Sequence, residues 1–230
     1  MATPIVPQDL KARLKTAYDA IAPKYNEWTI PHSEQRMKYL SKFIALLPLS
    51  DPSRSFHVLE LGCGCGLPVT QKLLSYPNIS VTANDLSSTQ IELARSNLLG
   101  NPEDMAATRL VLKEGDMAAL SFPDASFDAV LGFYSIIHLP LTEQSELLQK
   151  ISRWLKPGGL FLANFAANEM EGHVMDQWLD DKNGWMFWSG WGEKETLKLV
   201  REVGLEVLVA EVQHDVVDDA SFLWIMAKKR

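Results

Sequence analysis

The chain has 230 residues, of which 47% are hydrophobic, and a formal net charge of −7 at pH 7. This length suits one α/β domain with a full core, so we expect a single domain over residues 1–230. The negative charge and the lack of a basic stripe argue against a nucleic-acid partner, because phosphate backbones are bound through cationic surfaces. No apolar run approaches the roughly 20 residues of a membrane helix. The N-terminus also lacks an apolar stretch of signal-peptide length, and we expect a soluble, cytoplasmic protein without a membrane partner.

Two helical patterns open the chain and predict a helical cap over residues 1–50. The first covers about 7–22, and the second covers 33–47 with apolar residues spaced for one helix face. A core of alternating strands and helices is predicted over 51–165.

The most informative segment, 56–68, reads FHVLELGCGCGLP and joins an apolar strand to three alternate glycines and a helix start. Gly62, Gly64 and Gly66 permit positive φ angles and a close approach of the backbone to a ligand. Nicotinamide enzymes place G-x-G-x-x-G at the same point, so the turn alone does not select a cofactor. Glu60, two positions before the first glycine, would not help bind a pyrophosphate but would stabilise an ammonium or a sulfonium.

The next elements place polar groups at the ends of further strands. Asp85 ends a strand over 79–84, where a ribose diol would need a carboxylate acceptor. The SSTQ sequence at 87–90 has the form of a capping box and predicts a helix start. A third strand over 109–113 leads into Gly115-Asp116-Met117, and a fourth covers 126–133.

The later segments predict a helix over 142–155 that the KPGG sequence ends, followed by a fifth strand. A polar, tryptophan-rich insertion covers 166–192. A helix over 193–203 and two strands, 205–213 and 221–227, complete the region 193–230.

These features together resemble the class I S-adenosylmethionine-dependent methyltransferases of small-molecule type, including relatives of the quinone-biosynthesis enzymes. The glycine run with its acidic residue resembles their motif I, E/D-x-G-x-G-x-G, and further motifs follow in family order over about 56–165. The resemblance implies an α/β, Rossmann-like sheet of seven mainly parallel strands in the order 3-2-1-4-5-7-6, with only the last antiparallel. Helices would cover both faces, and S-adenosyl-L-methionine would lie across the carboxyl ends of strands 1 to 4 and leave as S-adenosyl-L-homocysteine.

Residues at the matching turns, and two tyrosines of the cap that resemble a cofactor-covering helix, are the implied cofactor contacts. They are Tyr18, Tyr25, Glu60, Gly62, Cys63, Gly64, Gly66, Asp85, Leu86, Gly115, Asp116, Met117, Phe133 and Tyr134. For the two tyrosines, the alternative that they simply anchor the cap stays open. The only cysteines, Cys63 and Cys65, are too few for a structural zinc site, and no metal is expected.

Methyl transfer is an in-line displacement, so its main requirement is a near-attack geometry, and a base is optional. The segment after strand 4, GFYSIIHL at 132–139, contains His138, which is the best candidate for a general base. The alternative that His138 only bonds a backbone group or shapes the pocket remains open. The same segment lacks the [D/N]-P-P-[Y/F/W] motif of enzymes that methylate amino groups in nucleic acids and proteins, which favours a small-molecule acceptor.

The insertion over 166–192 is predicted to be an acceptor-side lid, because four of the seven tryptophans fall between 178 and 191. Rigid aromatic rings can bury an apolar acceptor and exclude water from the sulfonium. The predicted acceptor contacts are Trp28, Trp185, Trp188 and Trp191. The alternative is that these rings pack under the N-terminal helices as core.

Two other functions remain open. A methyltransferase fold that binds a partner without turnover is compatible with every motif. A nicotinamide-dependent oxidoreductase would share the glycine turn and Asp85, but it would not explain Glu60 or the segments after strand 4.

Overall fold

The computed structural model describes residues 6–49, 51, 53–99, 108–215 and 219–230. Its helices are α1 (Leu10–Trp28), α2 (Ser33–Ile44), α3 (Val69–Leu74), α4 (Ser88–Leu99), α5 (Leu141–Trp154) and α6 (Gly192–Glu202). Its strands are β1 (Phe56–Leu61), β2 (Ile79–Asp85), β3 (Leu110–Glu114), β4 (Phe127–Gly132), β5 (Leu155–Ala166), β6 (Glu169–Met175), β7 (Met186–Trp191), β8 (Leu205–Asp215) and β9 (Ala220–Lys229). Within these ranges, no helix is long and apolar enough to span a bilayer.

Seven strands form one sheet in the order β3-β2-β1-β4-β5-β9-β8, and β6 and β7 form a separate hairpin. Strands β1 to β5 pair in parallel, whereas β9 pairs antiparallel with both β5 and β8. Without the hairpin, this is the predicted 3-2-1-4-5-7-6 order with the last strand antiparallel, so the predicted fold is confirmed.

The centre of the sheet is buried on both faces, as the apolar run of β1 predicts. Val58 packs in a cluster with side chains of α2, α3 and α4, including Phe43 and Leu73. The next residue, Leu59, points to the opposite face, where α5 and α6 supply residues such as Leu148. Because helices cover both faces, the carboxyl ends of β1, β2 and β4 remain as the edge at which a site can form.

Helix α1 is longer than predicted. The sequence predicts its end at Ala22, before Pro23, but the helix continues through Pro23 to Trp28. Its last turn packs against Trp178, whose ring centroid lies 5.8 Å from that of Tyr25 and 5.2 Å from that of Trp28. These tertiary contacts outweigh the local preference for a helix end before proline.

The β6–β7 hairpin is the main element that the sequence does not predict. β6 reads EMEGHVM and is largely exposed, so it shows no clean alternation of apolar and polar residues. β7 reads MFWSGW and is mostly buried, and its aromatic residues suit a strand. The hairpin places His173 opposite Trp188.

Helix α1 is attached to the start of α4 by Asp19. Its Oδ1 accepts hydrogen bonds from Ser87 Oγ at 2.6 Å and from the Thr89 amide at 3.1 Å. The Gln90 amide donates to Ser87 Oγ at 3.1 Å, which is the first half of the predicted capping box. The Gln90 side chain pairs instead with the Asn26 side chain of α1. The predicted return hydrogen bond from Gln90 to the start of the helix is therefore wrong, because Asn26 takes its place as the partner.

Replacing Asp19 with alanine is expected to lower the free energy of unfolding by about 1–2 kcal/mol at pH 7, because it removes a helix cap and its ionic contact with Lys15. Burial would raise the pKa of Asp19, but hydrogen bonds from Lys15, Ser87 and the Thr89 amide outweigh it and lower the pKa from 3.8 to about 2. The stabilisation is therefore complete above the unfolded-state pKa and is lost as the pH falls toward 2.

Urea unfolding at pH 7 and at pH 2.5 measures this contribution. The difference between wild type and Asp19→Ala should shrink at the lower pH. The exposed Glu27 on the same helix is the control, and Glu27→Ala should change stability by less than about 0.5 kcal/mol. Equal stability of wild type and Asp19→Ala at pH 7 would contradict the assigned cap.

Candidate active site

The glycine turn after β1 is held close to the neighbouring loops. The amides of Gly62 and Cys63 both donate to the Asn84 carbonyl, at 2.8 and 2.9 Å. Gly62 has a φ of +75°, and a Cβ on it would lie 2.3 Å from Ser135 Cβ, so only glycine fits between the turn and the segment after β4. At Gly64, with a φ of +55°, no atom lies within 4 Å of such a Cβ, so this position leaves open space for a ligand.

Asp85 lies at the end of β2 and faces this turn. Its Oδ2 accepts from the Gly64 amide at 2.8 Å, and its Oδ1 accepts from the Ser87 amide at 2.9 Å. Burial raises the pKa of Asp85 to about 6, although these backbone hydrogen bonds oppose the rise. Each carboxylate oxygen still has a second lone pair, so the carboxylate can accept a pair of hydroxyl groups.

Glu60 is buried with 3% of its surface exposed. Its Oε2 accepts from Thr70 Oγ1 at 2.6 Å. Burial raises the pKa of Glu60 to about 7, while the hydrogen bond from Thr70 and the charge of Arg36 lower it. Its predicted contact with the methionine end of the cofactor stays a prediction, because Glu60 does not line the cavity against the turn.

Two cavities lie at the carboxyl edge of the sheet. The smaller has a volume of about 70 Å³ and lies against the glycine turn. Its walls include ten of the predicted cofactor residues: Tyr18, Tyr25, Gly62, Gly64, Asp85, Leu86, Asp116, Met117, Phe133 and Tyr134. The other four predicted cofactor residues do not line the described part of this wall; they are Glu60, Cys63, Gly66 and Gly115. Gly115 lies behind it, with its amide donating to the Asp85 carbonyl at 2.9 Å.

The larger cavity has a volume of about 540 Å³ and lies between α1, the hairpin and the end of β8. It shares Tyr18, Tyr25, Tyr134 and His138 with the smaller cavity. These four side chains therefore form the boundary between the two spaces.

His138 is held at this boundary by two hydrogen bonds. Its Nδ1 lies 2.8 Å from the Phe187 carbonyl oxygen, and its Nε2 lies 2.8 Å from the Tyr18 hydroxyl. Because a carbonyl can only accept, Nδ1 carries the proton and Nε2 accepts from Tyr18. Burial lowers the pKa of His138 to about 4; the Phe187 hydrogen bond opposes the change and the charge of Lys11 adds to it. The ring is therefore neutral at pH 7, with its basic nitrogen facing a tyrosine hydroxyl.

Aromatic rings dominate the larger cavity. Trp178 is at the centre of the group, with ring centroids 5.2 Å from Trp28 and 5.7 Å from Trp188. Polar side chains, His32, Arg36 and His173, share the same wall. Within the described residues, no three His, Cys, Asp or Glu side chains come together as a metal ion would need.

The structure separates the four predicted acceptor residues. Trp28 and Trp188 line the larger cavity. Trp185 packs instead among buried residues of α1, with the Arg13 guanidinium 4.0 Å from its ring centroid. Trp191 donates from Nε1 to the Leu141 carbonyl at 3.1 Å and is also outside the described wall.

His32 and Arg36 are wall residues that the sequence does not single out, whereas Trp178 belongs to the predicted lid but not to the predicted acceptor contacts. His32 and Arg36 are four residues apart at the start of α2, a spacing that places them on one helix face. That spacing is the signal in the sequence, whereas the apolar residues of α2 indicate only its buried face.

Comparisons with known proteins agree with this arrangement. Residues 58–159 match a family described as a methyltransferase domain. The sterol 24-C-methyltransferase ERG6B of Gibberella zeae is 31% identical over 123 residues, which are 54% of this chain and 29% of that protein. The 27-O-demethylrifamycin SV methyltransferase of Amycolatopsis mediterranei is 30% identical over 133 residues, 57% of this chain and 46% of that protein. The chain thus spans less than half the length of these two relatives.

Solved structures extend the similarity to the whole fold. The 1,6-didemethyltoxoflavin-N1-methyltransferase of Burkholderia thailandensis, solved with 1,6-didemethyltoxoflavin and S-adenosylhomocysteine, superposes with a TM-score of 0.71 at 19% identity. The superposition covers 100% of this chain and 92% of that one. The [4+2]-cyclase SpnF also has a TM-score of 0.71, at 17% identity, over 99% of this chain and 98% of its own. Residues 58–159 thus match a methyltransferase domain, and the fold that contains them is that of the class I S-adenosylmethionine-dependent methyltransferases.

Proposed function

We propose that the chain transfers a methyl group from S-adenosyl-L-methionine to a small, planar acceptor. The observation that carries this proposal is the meeting of two cavities at Tyr18, Tyr25, Tyr134 and His138. One cavity is lined by the glycine turn and Asp85, and the other is lined by aromatic rings. The relatives above are named for a sterol, a rifamycin and a toxoflavin derivative, which supports a small-molecule acceptor.

The residues of the smaller cavity suit the cofactor. Asp85 would accept hydrogen bonds from the ribose hydroxyls, and Leu86, Met117 and Phe133 offer an apolar wall to the adenine. When bound, S-adenosyl-L-methionine supplies an electrophilic methyl group on a sulfonium. At about 70 Å³ the cavity is too narrow for an adenosine, so we infer that binding widens it and that side chains of α1 in its wall, such as Lys11, shift when it does.

His138 and Tyr18 would act together on the acceptor. Tyr18 would take the proton of an acceptor hydroxyl as it passes its own proton to His138 Nε2, and the Phe187 carbonyl would stabilise the resulting imidazolium. The low pKa of His138 keeps it ready to accept a proton at neutral pH but makes it a weak base. Such a pair helps acidic nucleophiles most, so a phenol or a thiol suits this site better than an aliphatic alcohol.

Two experimental results would favour a different function for this chain. Because the cyclase SpnF has the same fold, the fold alone does not determine the chemistry. Binding of S-adenosyl-L-homocysteine without methylation of any acceptor would favour a binding module without turnover. A larger thermal shift with NAD than with S-adenosyl-L-methionine would favour an oxidoreductase.

Asp85→Ala is expected to weaken S-adenosyl-L-homocysteine binding by about 1–3 kcal/mol, the range for leaving polar partners unpaired. In wild type, affinity should also fall as the pH decreases through about 6, where Asp85 becomes protonated. Asp85→Asn removes the titration but keeps only one of the two acceptors for the Gly64 and Ser87 amides, because its amide nitrogen can only donate; it should bind weakly without this pH dependence.

Calorimetry between pH 5 and pH 8 measures both effects, and thermal melting checks that each variant is folded. The exposed Asp51→Asn is the control and should keep wild-type affinity. Unchanged affinity in a folded Asp85→Ala variant would remove the ribose assignment.

His138→Ala is expected to lower the turnover rate about a hundredfold, the scale of one general base, with little change in cofactor affinity. The loss should shrink at high pH, where the acceptor ionises unaided. If Tyr18 and His138 act as one unit, Tyr18→Phe and the double variant should each lose about as much as His138→Ala.

The measurement is S-adenosyl-L-homocysteine release as a function of pH, with a phenolic acceptor identified by screening. His57→Ala, at an exposed position on β1, is the control. Wild-type rates for His138→Ala at every pH would show that this ring only shapes the pocket.

Trp188→Ala and Trp185→Ala form a matched pair within the predicted lid. Trp188 lines the larger cavity, so its loss should raise the acceptor's Michaelis constant and leave the melting temperature near wild type. Trp185 is buried against α1, so its loss should destabilise the fold by about 3–5 kcal/mol. Steady-state kinetics and thermal melting separate the two. A strong loss of stability in Trp188→Ala with a normal Michaelis constant would contradict the lid.

A further inference from the structure

Arg36 is a cation of the larger cavity that makes no salt bridge to a carboxylate of the described residues. Its Nη2 donates to the Thr29 carbonyl at 2.8 Å. Over the described residues, no Asp or Glu oxygen lies within 4.0 Å of its guanidinium nitrogens, and its buried Nε makes no hydrogen bond. A half-buried guanidinium retains its charge at any physiological pH, so this wall has a positive charge that no direct salt bridge among the described residues neutralises.

His32 lies beside Arg36 on the same face of α2. It is 4% exposed, and its Nδ1 lies 2.7 Å from Asp215 Oδ2. The same carboxylate oxygen accepts from the Tyr134 hydroxyl at 3.2 Å. Asp215 is thus engaged by His32 and Tyr134, while His32 Nε2 is buried without a hydrogen-bond partner in the described structure.

Two unsatisfied buried nitrogens in one patch call for an explanation, because most buried polar atoms in proteins are paired. Two other polar groups of the wall have partners of their own and do not pair with these nitrogens. His214 pairs with the exposed Asp219 at 3.5 Å, and His173 stacks on Trp188. An anionic oxygen group brought to this patch would accept a hydrogen bond from Arg36 Nε after a small side-chain adjustment, and His32, whose Nδ1 donates to Asp215, would form the wall beside it.

We propose that the Arg36–His32 patch binds a carboxylate of the acceptor, so that the acceptor is a planar aromatic acid. This inference rests on the proposed methyl transfer. A carboxylate on Arg36 would place the attached ring system among Trp28, Trp178 and Trp188. Tyr134, which contacts Asp215 and lines both cavities, connects this patch to the Tyr18–His138 pair. The reacting group of the acceptor would then lie at the boundary, away from its carboxylate.

The carboxylate of the cofactor's methionine is the other source of the same chemistry. The acceptor is favoured because Arg36 and His32 line the larger cavity and are not in the described wall of the smaller one. The two sources are separable, because the affinities for S-adenosyl-L-homocysteine and for an aromatic acid can be measured independently.

The test is calorimetry on the full chain saturated with S-adenosyl-L-homocysteine. The probes are 1-naphthoate, 2-naphthoate and anthracene-9-carboxylate, each paired with the alcohol that has CH₂OH in place of the carboxylate. In wild type, at least one acid should bind roughly tenfold or more tightly than its alcohol, as expected for a charge-assisted hydrogen bond. Arg36→Gln should lose that preference and leave the alcohol's affinity unchanged, and Arg36→Lys should retain part of it.

Lys38→Gln is the matched control, since it removes one positive charge from an exposed position of the same helix. It should retain the full preference, and melting temperatures should show that all three variants are folded. No preference for any acid in wild type, or an unchanged preference in Arg36→Gln, would overturn the proposal. A loss of S-adenosyl-L-homocysteine affinity in Arg36→Gln with acid binding intact would assign the patch to the cofactor instead. Failure of wild type to bind S-adenosyl-L-homocysteine would contradict the proposed function itself.

Discussion

Asn84 connects the loops that form the site. Its carbonyl accepts from the Gly62 and Cys63 amides, and its side-chain Nδ2 donates to the carbonyls of Lys113 and Gly115. One fully buried residue thus fixes the turns after β1, β2 and β3 relative to one another. Asp85, the next residue, can then reach both the Gly64 amide and the smaller cavity. The geometry of the cofactor cleft therefore depends on a hydrogen-bond network at the sheet edge.

Helix α1 connects the stability of the fold to the chemistry of the site. It contributes Tyr18, whose hydroxyl contacts His138. The next residue, Asp19, caps α4. Lys11, on the same helix, pairs with Asp116 and with Glu143 across the smaller cavity. A partly exposed pair of this kind contributes little stability alone, so such contacts can break when the cavity widens for a cofactor. The same helix can thus cover the cleft and yield to a ligand.

Much of the fold and the cofactor cleft could be predicted from the sequence: the strand order came from the family resemblance, and the elements and the cleft came from local signals. A short stretch of sequence is enough to interpret each of these signals, namely the apolar run of β1, the alternate glycines and Asp85. The hairpin was missed because β6 is polar and is stabilised only by pairing with β7. Trp185 and Trp188 look alike in the sequence, and their opposite orientations follow from packing against α1. The His32–Asp215 contact joins residues 183 positions apart, and no local pattern indicates it.

The central claim is that the junction of the two cavities is where methyl transfer takes place. A crystal structure with bound S-adenosyl-L-homocysteine tests it most directly. We expect the ribose hydroxyls within hydrogen-bond distance of the Asp85 carboxylate, and the sulfur facing the boundary formed by Tyr18, Tyr134 and His138. A ligand bound elsewhere, or one whose sulfur points away from the larger cavity, would contradict the account.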